Sequence, residues 1–186
     1  MAIYLTSDLH LGHDREFIWK PRGCSSIQEH DDWLNEKFAS ELTEFDDLYI
    51  LGDLMLGNNA IGLERLQRLP CRIHIVRGNH DTDTRWEIYQ HLLPNVVEVA
   101  DVIRLKYKKF HFYLSHYPTL TGNLENDNLY SMEINLYGHT HQKTNFFEDR
   151  PYMYHVGVDS HDGLPVLLDD IIEECKWKVE QCKKFL

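Results

Sequence analysis

The stretch "AIYLTSDLHLGH", residues 2–13, joins an apolar run to carboxylate and imidazole side chains. Its apolar start predicts a buried strand over residues 2–6. Asp8 and His10 follow two residues apart, and in an extended backbone residues at this spacing project to the same side. We therefore predict that both side chains point at one place. A lone Asp-x-His is also common turn chemistry, so the rest of the chain has to decide between the two interpretations.

Eight further apolar runs bounded by turn residues predict strands at 47–51, 71–77, 95–99, 102–107, 110–115, 134–138, 152–156 and 165–168. Helical periodicity predicts helices over 26–42, 60–69, 84–93 and 168–183. Strands and helices alternate in the first half, which favours parallel crossovers, whereas the run of strands in the middle favours antiparallel pairing. We predict two stacked sheets flanked by helices in one domain covering residues 1–186, with a loop-like insertion at 122–132.

Side chains with oxygen or nitrogen ligand atoms follow five of the predicted strands. These residues are Asp8 and His10, Asp53, Asn79 with His80 and Asp81, His116, and His139 with His141. Each one alone is more often a turn residue or a buried hydrogen-bonding group. Ligands of open α/β sheets bind outside the carboxyl ends of the strands, so we expect all of them in one cluster. Imidazole, carboxylate and carboxamide donors without thiolate favour catalytic zinc, iron or manganese over a closed structural zinc site.

The composition disfavours several classes of protein. A formal net charge of −11 argues against a sequence-independent hold on polymeric nucleic acid, which needs a basic surface. No apolar run approaches the roughly 18 residues of a membrane span, and no export leader is apparent. The four cysteines show no CxxC spacing, so we predict reduced thiols and a cytoplasmic location. The acidic segments at 29–32 and 169–174 are predicted to be solvated helix faces.

The segments "DLH", "GD", "GNHD", "SHYP" and "GHTH", in this order along residues 8–141, resemble the five-block signature of calcineurin-like metallophosphoesterases. The stretches "EHDDWLNEKF" and "HVGVDSHDGLPV" further resemble the small single-domain bacterial and phage-type members, although those more often have Asn at the position of His155. The resemblance implies an α/β (α+β) fold, a four-layer αββα sandwich of two mixed sheets flanked by helices. It also implies two divalent metal ions, which could be Mn, Fe or Zn.

The resemblance further implies a role for each site residue. One ion would be held by Asp8, His10, Asp53 and His141, and the other by Asp53, Asn79, His116 and His139, with Asp53 bridging. His80 is expected to stabilise the phosphoryl oxygens or protonate the leaving oxygen, and Asp81 to accept a hydrogen bond from the other ring nitrogen of His80. His13 and Arg22 are expected to reach the substrate phosphate.

The function that these expectations favour is hydrolysis of a small phosphate ester by a hydroxide bridging the two ions. A charge argument favours a diester. Two divalent ions, two aspartates and one hydroxide leave a single positive charge, which a phosphodiester monoanion neutralises. The alternatives are a phosphomonoesterase or a nuclease using the same site, or a metal-binding interaction scaffold without catalysis. The sequence selects neither the leaving group nor the oligomeric state.

Overall fold

The elements of the fold follow the predicted order of strands and helices. A computed structural model describes residues 1–121 and 129–183. Its strands are β1 (Ile3–Thr6), β2 (Asp47–Leu51), β3 (Arg72–Val76), β4 (Val96–Ala100), β5 (Ile103–Tyr107), β6 (Phe110–Leu114), β7 (Glu133–Tyr137), β8 (Met153–His155) and β9 (Val166–Leu167). Its helices are α1 (Glu16–Trp19), α2 (Ile27–Glu41), α3 (Asn59–Gln67), α4 (Asp83–Leu92) and α5 (Leu168–Lys183), and 3₁₀ turns lie at Lys20–Arg22 and Phe147–Asp149.

All nine predicted strands and the four predicted helices are present, with ends displaced by at most two residues. Helix α1 and the two 3₁₀ turns were not predicted, because elements of three or four residues are too short to show a hydrophobic period. Most of the loop-like insertion at 122–132 lies outside the described residues.

The first sheet has the strand order β4-β3-β2-β1-β9, with β1 to β4 parallel and β9 antiparallel to β1. All five residues of β2 are buried, as expected for a central strand covered on both faces. Leu48 and Ile50 pack in one cluster with Leu34 and Phe38 of α2, and Leu51 packs in the cluster on the opposite face. The alternation of β2 therefore places helices on one side of this sheet and the second sheet on the other.

The second sheet has the order β5-β6-β7-β8. Strands β5 and β6 form an antiparallel hairpin joined by Lys108 and Lys109, but β6–β7 and β7–β8 are parallel. The prediction of antiparallel pairing in the middle of the chain is therefore wrong for these two pairs. The reason is the length of the connections, 115–132 and 138–152, because each is long enough for the dozen or so residues that a parallel crossover needs.

One hydrophobic cluster connects the two sheets with the last helix. It contains Leu51 from the first sheet, Leu114 and Leu136 from the second, and Ile171 and Cys175 from α5. The resulting architecture is an α/β fold of two mixed sheets flanked by helices, as predicted. The carboxyl ends of β1, β2, β3, β6 and β7 lie at one edge of this sandwich, where the site residues converge.

The composition predicts that the chain has no membrane-spanning segment and that its thiols are reduced. Among residues 1–121 and 129–183, no helix combines the length and apolar content that crossing a bilayer requires. The four cysteines are unpaired. Cys24, Cys71 and Cys175 are buried, and Cys182 is partly exposed.

Candidate metal centre

The first group of potential ligands lies at the ends of β1 and β7. The Nε2 atoms of His10 and His141 face each other at 3.2 Å, and His141 Nε2 lies 3.9 Å from Asp8 Oδ1. Ligand atoms of these three residues all fall within 4.8 Å of one another. Asp8 and His10 are buried, and the His141 side chain is 37% exposed. The predicted convergence of Asp8 and His10 is therefore present, and His141 joins them across the molecule.

The second group is formed by the ends of β3, β6 and β7. Asn79 Oδ1 lies 2.8 Å from His116 Nε2 and 2.9 Å from His139 Nδ1. The Nδ1 of His116 is 2.8 Å from the carbonyl oxygen of Leu51. A carbonyl can only accept, so Nδ1 carries the proton and Nε2 presents its lone pair to the site. His116 Nε2 and Asn79 Oδ1 thus direct electron pairs at the same place, and His139 Nδ1 lies beside them.

Asp53 lies between the two groups. Its Oδ2 is 3.7 Å from His10 Nε2, in the first group, and 3.6 Å from His116 Nε2, in the second. Its Oδ1 accepts a hydrogen bond from the backbone N–H of His80 at 2.9 Å. The side chain is 2% exposed, so this carboxylate faces the imidazoles rather than solvent.

The donor set fits divalent cations. Atoms bound to one ion at about 2.1 Å are about 3 to 3.5 Å apart, and the facing donors are 2.8 to 3.9 Å apart. Burial lowers the pKa of His10 to about 2, with a further contribution from Arg22, so this imidazole is neutral. Burial also lowers the pKa of His139, and it raises the pKa of Asp8. Two buried carboxylates beside the neutral imidazole of His10 need a compensating positive charge, which a metal ion provides.

The backbone that carries these ligands is strained. Asp8, His10, Asp53, His139 and His141 have φ values between 49° and 67°, in the left-handed region. Non-glycine residues rarely adopt this conformation, and strain of this kind is concentrated at functional sites. The extended backbone predicted for Asp8 and His10 is therefore wrong, although the two side chains converge as predicted. Left-handed turns after β1 and β7, not strand alternation, bring each pair to the centre.

Glycines precede three of the ligand segments for steric reasons. A Cβ on Gly138 would lie 2.6 Å from Asp8 Oδ2, and a Cβ on Gly52 would lie 2.7 Å from the Cα of Gly78. Real Cβ atoms do not approach other atoms this closely, so these positions have no room for a side chain. The glycines of "GD", "GNHD" and "GHTH" thus allow the ends of three strands to meet.

The structure changes the predicted role of Asp81. Its Oδ2 accepts hydrogen bonds from the backbone N–H groups of Asp53 and Gly78 at 2.8 Å each, and its Oδ1 accepts one from Tyr89 at 2.7 Å. No hydrogen bond joins the ring of His80 to Asp81 among the described residues, so the prediction that Asp81 accepts one from this ring is wrong. Asp81 instead holds together the loops after β2 and β3. The His80 side chain is 44% exposed, with Nε2 at 4.0 Å from Asp53 Oδ2.

Arg22 also has a different role from the predicted one. Its side chain is 2% exposed and forms a bidentate ion pair with Asp159 at 2.8 and 3.2 Å. It also donates to the carbonyl oxygens of Asp8 and Leu9, and to His30 Nε2 at 2.8 Å. These contacts use every N–H of the guanidinium. The prediction that Arg22 binds substrate phosphate is therefore wrong, because the protein itself occupies its donors.

Sequence reasoning missed Asp159, which supports the first ligand group. Its Oδ2 accepts a hydrogen bond from His141 Nδ1 at 2.7 Å. Burial lowers the pKa of His141, but the hydrogen bond to Asp159 and the charge of Asp8 outweigh burial and raise it. Burial likewise opposes ionisation of Asp159, but His141 and Arg22 hold its pKa well below the usual range. A carboxylate paired with the outer nitrogen of a ligand histidine fixes the ring and increases its basicity.

The support extends into α2, in a segment predicted to be solvated. His30 and Asp31 are 0% and 1% exposed. His30 accepts from Arg22 through Nε2, so its Nδ1 donates to Asp31 Oδ1 at 2.9 Å, and Asp31 Oδ2 accepts from the backbone N–H of Gly12 at 2.9 Å. The prediction is wrong for these two residues. The spacing of His30 and Asp31 with the apolar Leu34 and Phe38 placed them on the buried face, a signal that could have been used.

A cavity of about 560 Å³ adjoins the first ligand group. Its polar wall includes His10, His80 and His141, and its lining also includes His13, whose partly buried ring lies 5.6 Å from that of His10 between centroids. Burial lowers the pKa of His13. Lys143, which sequence reasoning missed, lines the cavity with a side chain that is 61% exposed and Nζ 3.3 Å from Asp159 Oδ1. Its place two residues after "GHTH" was the available signal.

The fold and the clustered donors define an α/β protein with a buried Asp/Asn/His site suited to metal-dependent hydrolysis. Residues 1–158 match the model of the calcineurin-like phosphoesterase superfamily domain, and the chain belongs to this superfamily. The predicted family is thereby confirmed. The family is metal-dependent, and the chain is classed with it as a phosphoric ester hydrolase.

The relatives of the chain are small proteins of similar length. An uncharacterized protein of Methanocaldococcus jannaschii is 27% identical over 180 residues, covering 92% of this chain and 89% of that protein. The gene 66 protein of Mycobacterium phage D29 is 27% identical over 194 residues, covering 92% and 94%. Among solved structures, a protein of unknown function from Aquifex aeolicus matches with a TM-score of 0.69 at 22% identity, covering 92% of this chain and 98% of that one. The last similarity supports the fold alone.

Proposed function

We propose that this chain is a dinuclear metal-dependent phosphoesterase that hydrolyses a small phosphodiester. The proposed ligands are Asp8, His10, Asp53 and His141 for one ion, and Asp53, Asn79, His116 and His139 for the other. The main support is the position of Asp53 Oδ2, at 3.7 Å from an imidazole nitrogen of the first group and 3.6 Å from one of the second. A carboxylate oxygen equidistant from both groups suits a bridging ligand.

The metals would supply Lewis acidity and lower the pKa of a water that attacks phosphorus. The protein residues have separate tasks. His116 and His141 are held in the tautomer that presents Nε2 to the site, because their Nδ1–H groups donate hydrogen bonds to Leu51 O and to Asp159. His80, exposed at the cavity wall, is placed to hold or give a proton at the leaving oxygen. Asp81 keeps the segment that carries His80 in place through its backbone hydrogen bonds.

We assign the contacts with substrate to His13 and Lys143, both of which line the cavity. Arg22 is a positioning residue, because its donors hold the carbonyl groups of Asp8 and Leu9 and the carboxylate of Asp159. Without Arg22, two divalent ions, Asp8, Asp53 and one hydroxide leave a single positive charge at the metal centre, and this favours a diester monoanion. Lys143 is the feature that favours the second candidate, a phosphomonoesterase, since its ammonium could neutralise a dianion.

We also propose the size of the substrate, the domain content of the chain and its location in the cell. The net charge of −11 favours a small phosphate ester over polymeric nucleic acid as the partner. We further propose one domain for residues 1–186, because α5 packs into the core cluster shared by both sheets. The four unpaired thiols support a cytoplasmic location.

The test combines metal analysis with paired substrates. After manganese loading, we expect two ions per chain by elemental analysis. We also expect kcat/KM for bis-p-nitrophenyl phosphate at least equal to that for p-nitrophenyl phosphate, and loss of both activities with a chelator. A ceiling of one ion per chain would refute the dinuclear site. A preference above tenfold for the monoester, about 1.4 kcal/mol in transition-state free energy, would replace the diesterase with the phosphomonoesterase.

A further inference from the structure

The cavity beside the first ligand group has two unlike walls. Besides the imidazoles described above, its lining includes apolar side chains from the segment after β1 and from the loop after β2, here called the apolar wall. These apolar residues are Phe17, Ile18, Pro21 and Leu56. A volume of about 560 Å³ lies within the range of sites for small organic ligands, roughly 300 to 1,000 Å³. An ester group of a substrate whose phosphorus lies at the metal centre would extend along this apolar wall.

Buried neighbours along the chain fix the backbone of the apolar wall, although part of this wall lies at the surface. Helix α1 buries Ile18 and Trp19, at 6% and 9% exposure, and the following 3₁₀ turn contains the buried side chain of Arg22. Phe17 lies on the same single turn of helix but is 70% exposed. Its ring contacts His13 edge to face, with 5.7 Å between ring centroids. The anchored backbone and the His13 contact therefore present the Phe17 ring at the cavity.

We propose that this cavity is a subsite for a planar aromatic ring in one ester group of the substrate, with Phe17 as the residue against which the ring packs. This inference rests on the proposed phosphoesterase function and narrows its substrate class to aryl or nucleobase-bearing esters. Hydroxyl groups of a polyol ester would find no polar side-chain partner along the apolar wall, and the polar groups of the cavity, His13, His80 and Lys143, are assigned to the phosphate and the leaving oxygen. An aromatic ring instead gains contact with both Phe17 and Leu56.

The first experiment measures binding without turnover. Phenylphosphonate and methylphosphonate carry the same anionic group and differ only in the ring. We expect the manganese-loaded chain to bind phenylphosphonate about tenfold more tightly in isothermal titration calorimetry, because aromatic contacts contribute at about this level. Phe17→Ala should remove most of that preference, and Phe17→Leu should keep part of it. Phe45→Ala is the matched control, since Phe45 is 69% exposed and does not line the cavity.

A second measurement uses two diesters with the same leaving group. The ratio of kcat/KM for bis-p-nitrophenyl phosphate to that for methyl p-nitrophenyl phosphate should fall about five- to tenfold in Phe17→Ala and stay unchanged in Phe45→Ala. Equal or absent binding of the two phosphonates by the native chain would overturn the subsite, as would a preference that survives Phe17→Ala. Phenyl-selective binding without diester hydrolysis would refute the proposed function while keeping the subsite.

Discussion

His139 and His141 stand two residues apart after β7, yet the protein supports them differently. The outer nitrogen of His141 pairs with Asp159, and buried contacts continue from Asp159 to Arg22 and α2. His139 has no such carboxylate among its described contacts. Its ring packs against Tyr117 at 4.6 Å between centroids, and its Nδ1 faces the exposed Asn79. Since a paired carboxylate increases the basicity of a ligand histidine, we expect the first group to bind its ion more tightly than the second.

The largest effect should come from the residue shared by both groups. Asp53→Asn removes the charge of the proposed bridge but retains a side chain that tolerates the left-handed backbone at φ 55°. We expect the variant to lose at least one ion in elemental analysis and to lose phosphodiesterase activity to background. Thermal unfolding followed by circular dichroism verifies that the fold survives. If the variant bound two ions at native affinity, Asp53 would not be a bridging ligand.

The next effect separates chemistry from metal binding. His80→Ala should keep both ions and lose about 10²- to 10⁴-fold in kcat, with a larger loss for an alkyl leaving group than for p-nitrophenol, which needs no proton. His91→Ala is a suitable control, because His91 is 68% exposed on α4. Full turnover of the alkyl ester by His80→Ala would remove its assignment as the proton donor.

Asp159→Asn tests the comparison between the two groups directly. Loss of the carboxylate should lower the affinity for one of the two ions by about 10- to 100-fold, since groups hydrogen-bonded to the outer nitrogen of metal-bound histidines contribute at this level, and should leave the other affinity unchanged. Calorimetric titration with zinc resolves the two affinities. The control is Asp162→Asn, because Asp162 lies in the same loop and is 86% exposed. An equal decrease at both sites would contradict the difference in support.

The smallest expected effect is on the pH dependence of the free energy of unfolding. His155 is fully buried, with Nδ1 bonded to Ser160 and Nε2 without a hydrogen-bond partner. Burial, followed by the charge of His161, lowers the pKa of His155 to about 3. As the pH falls below 6.5, His155 therefore becomes protonated in the unfolded chain but stays neutral in the folded chain. The free energy of unfolding thus decreases as the pH falls from 6.5 towards 3.

His155→Asn should reduce this dependence by at most one proton, about 1.4 kcal/mol per pH unit. Urea unfolding of the metal-free chain between pH 4 and 6 measures the slope, and His91→Asn should leave it unchanged. Identical slopes in the native chain and in His155→Asn would show that His155 is protonated in the folded state. Part of the slope should remain, because the pKa of His10 is also low.

Hydrophobic periodicity was sufficient to predict the strands and long helices, because each buries one or two continuous apolar faces. Position after strands predicted that nine polar residues would cluster, and the resemblance to calcineurin-like metallophosphoesterases implied which seven of them would be ligands. Pairing direction in the second sheet was missed, since periodicity carries no information about crossovers. The roles of Arg22 and Asp81 were missed for another reason. A charged side chain looks the same in sequence whether its partners are substrate atoms or, as for Arg22, a carboxylate 137 residues away.

The contact between His10 and His141 spans 131 positions of the chain. During synthesis on the ribosome, the amino-terminal strand and its two ligands leave the exit tunnel long before "GHTH" is translated, so the complete first group does not exist until most of the polypeptide is made. An ion that needs all three side chains would therefore bind only after most of the protein has been made, and could not template early folding at this position. Truncation anywhere before residue 141 would remove His141 from the first group, so binding of an ion to this group would report that synthesis has passed that residue.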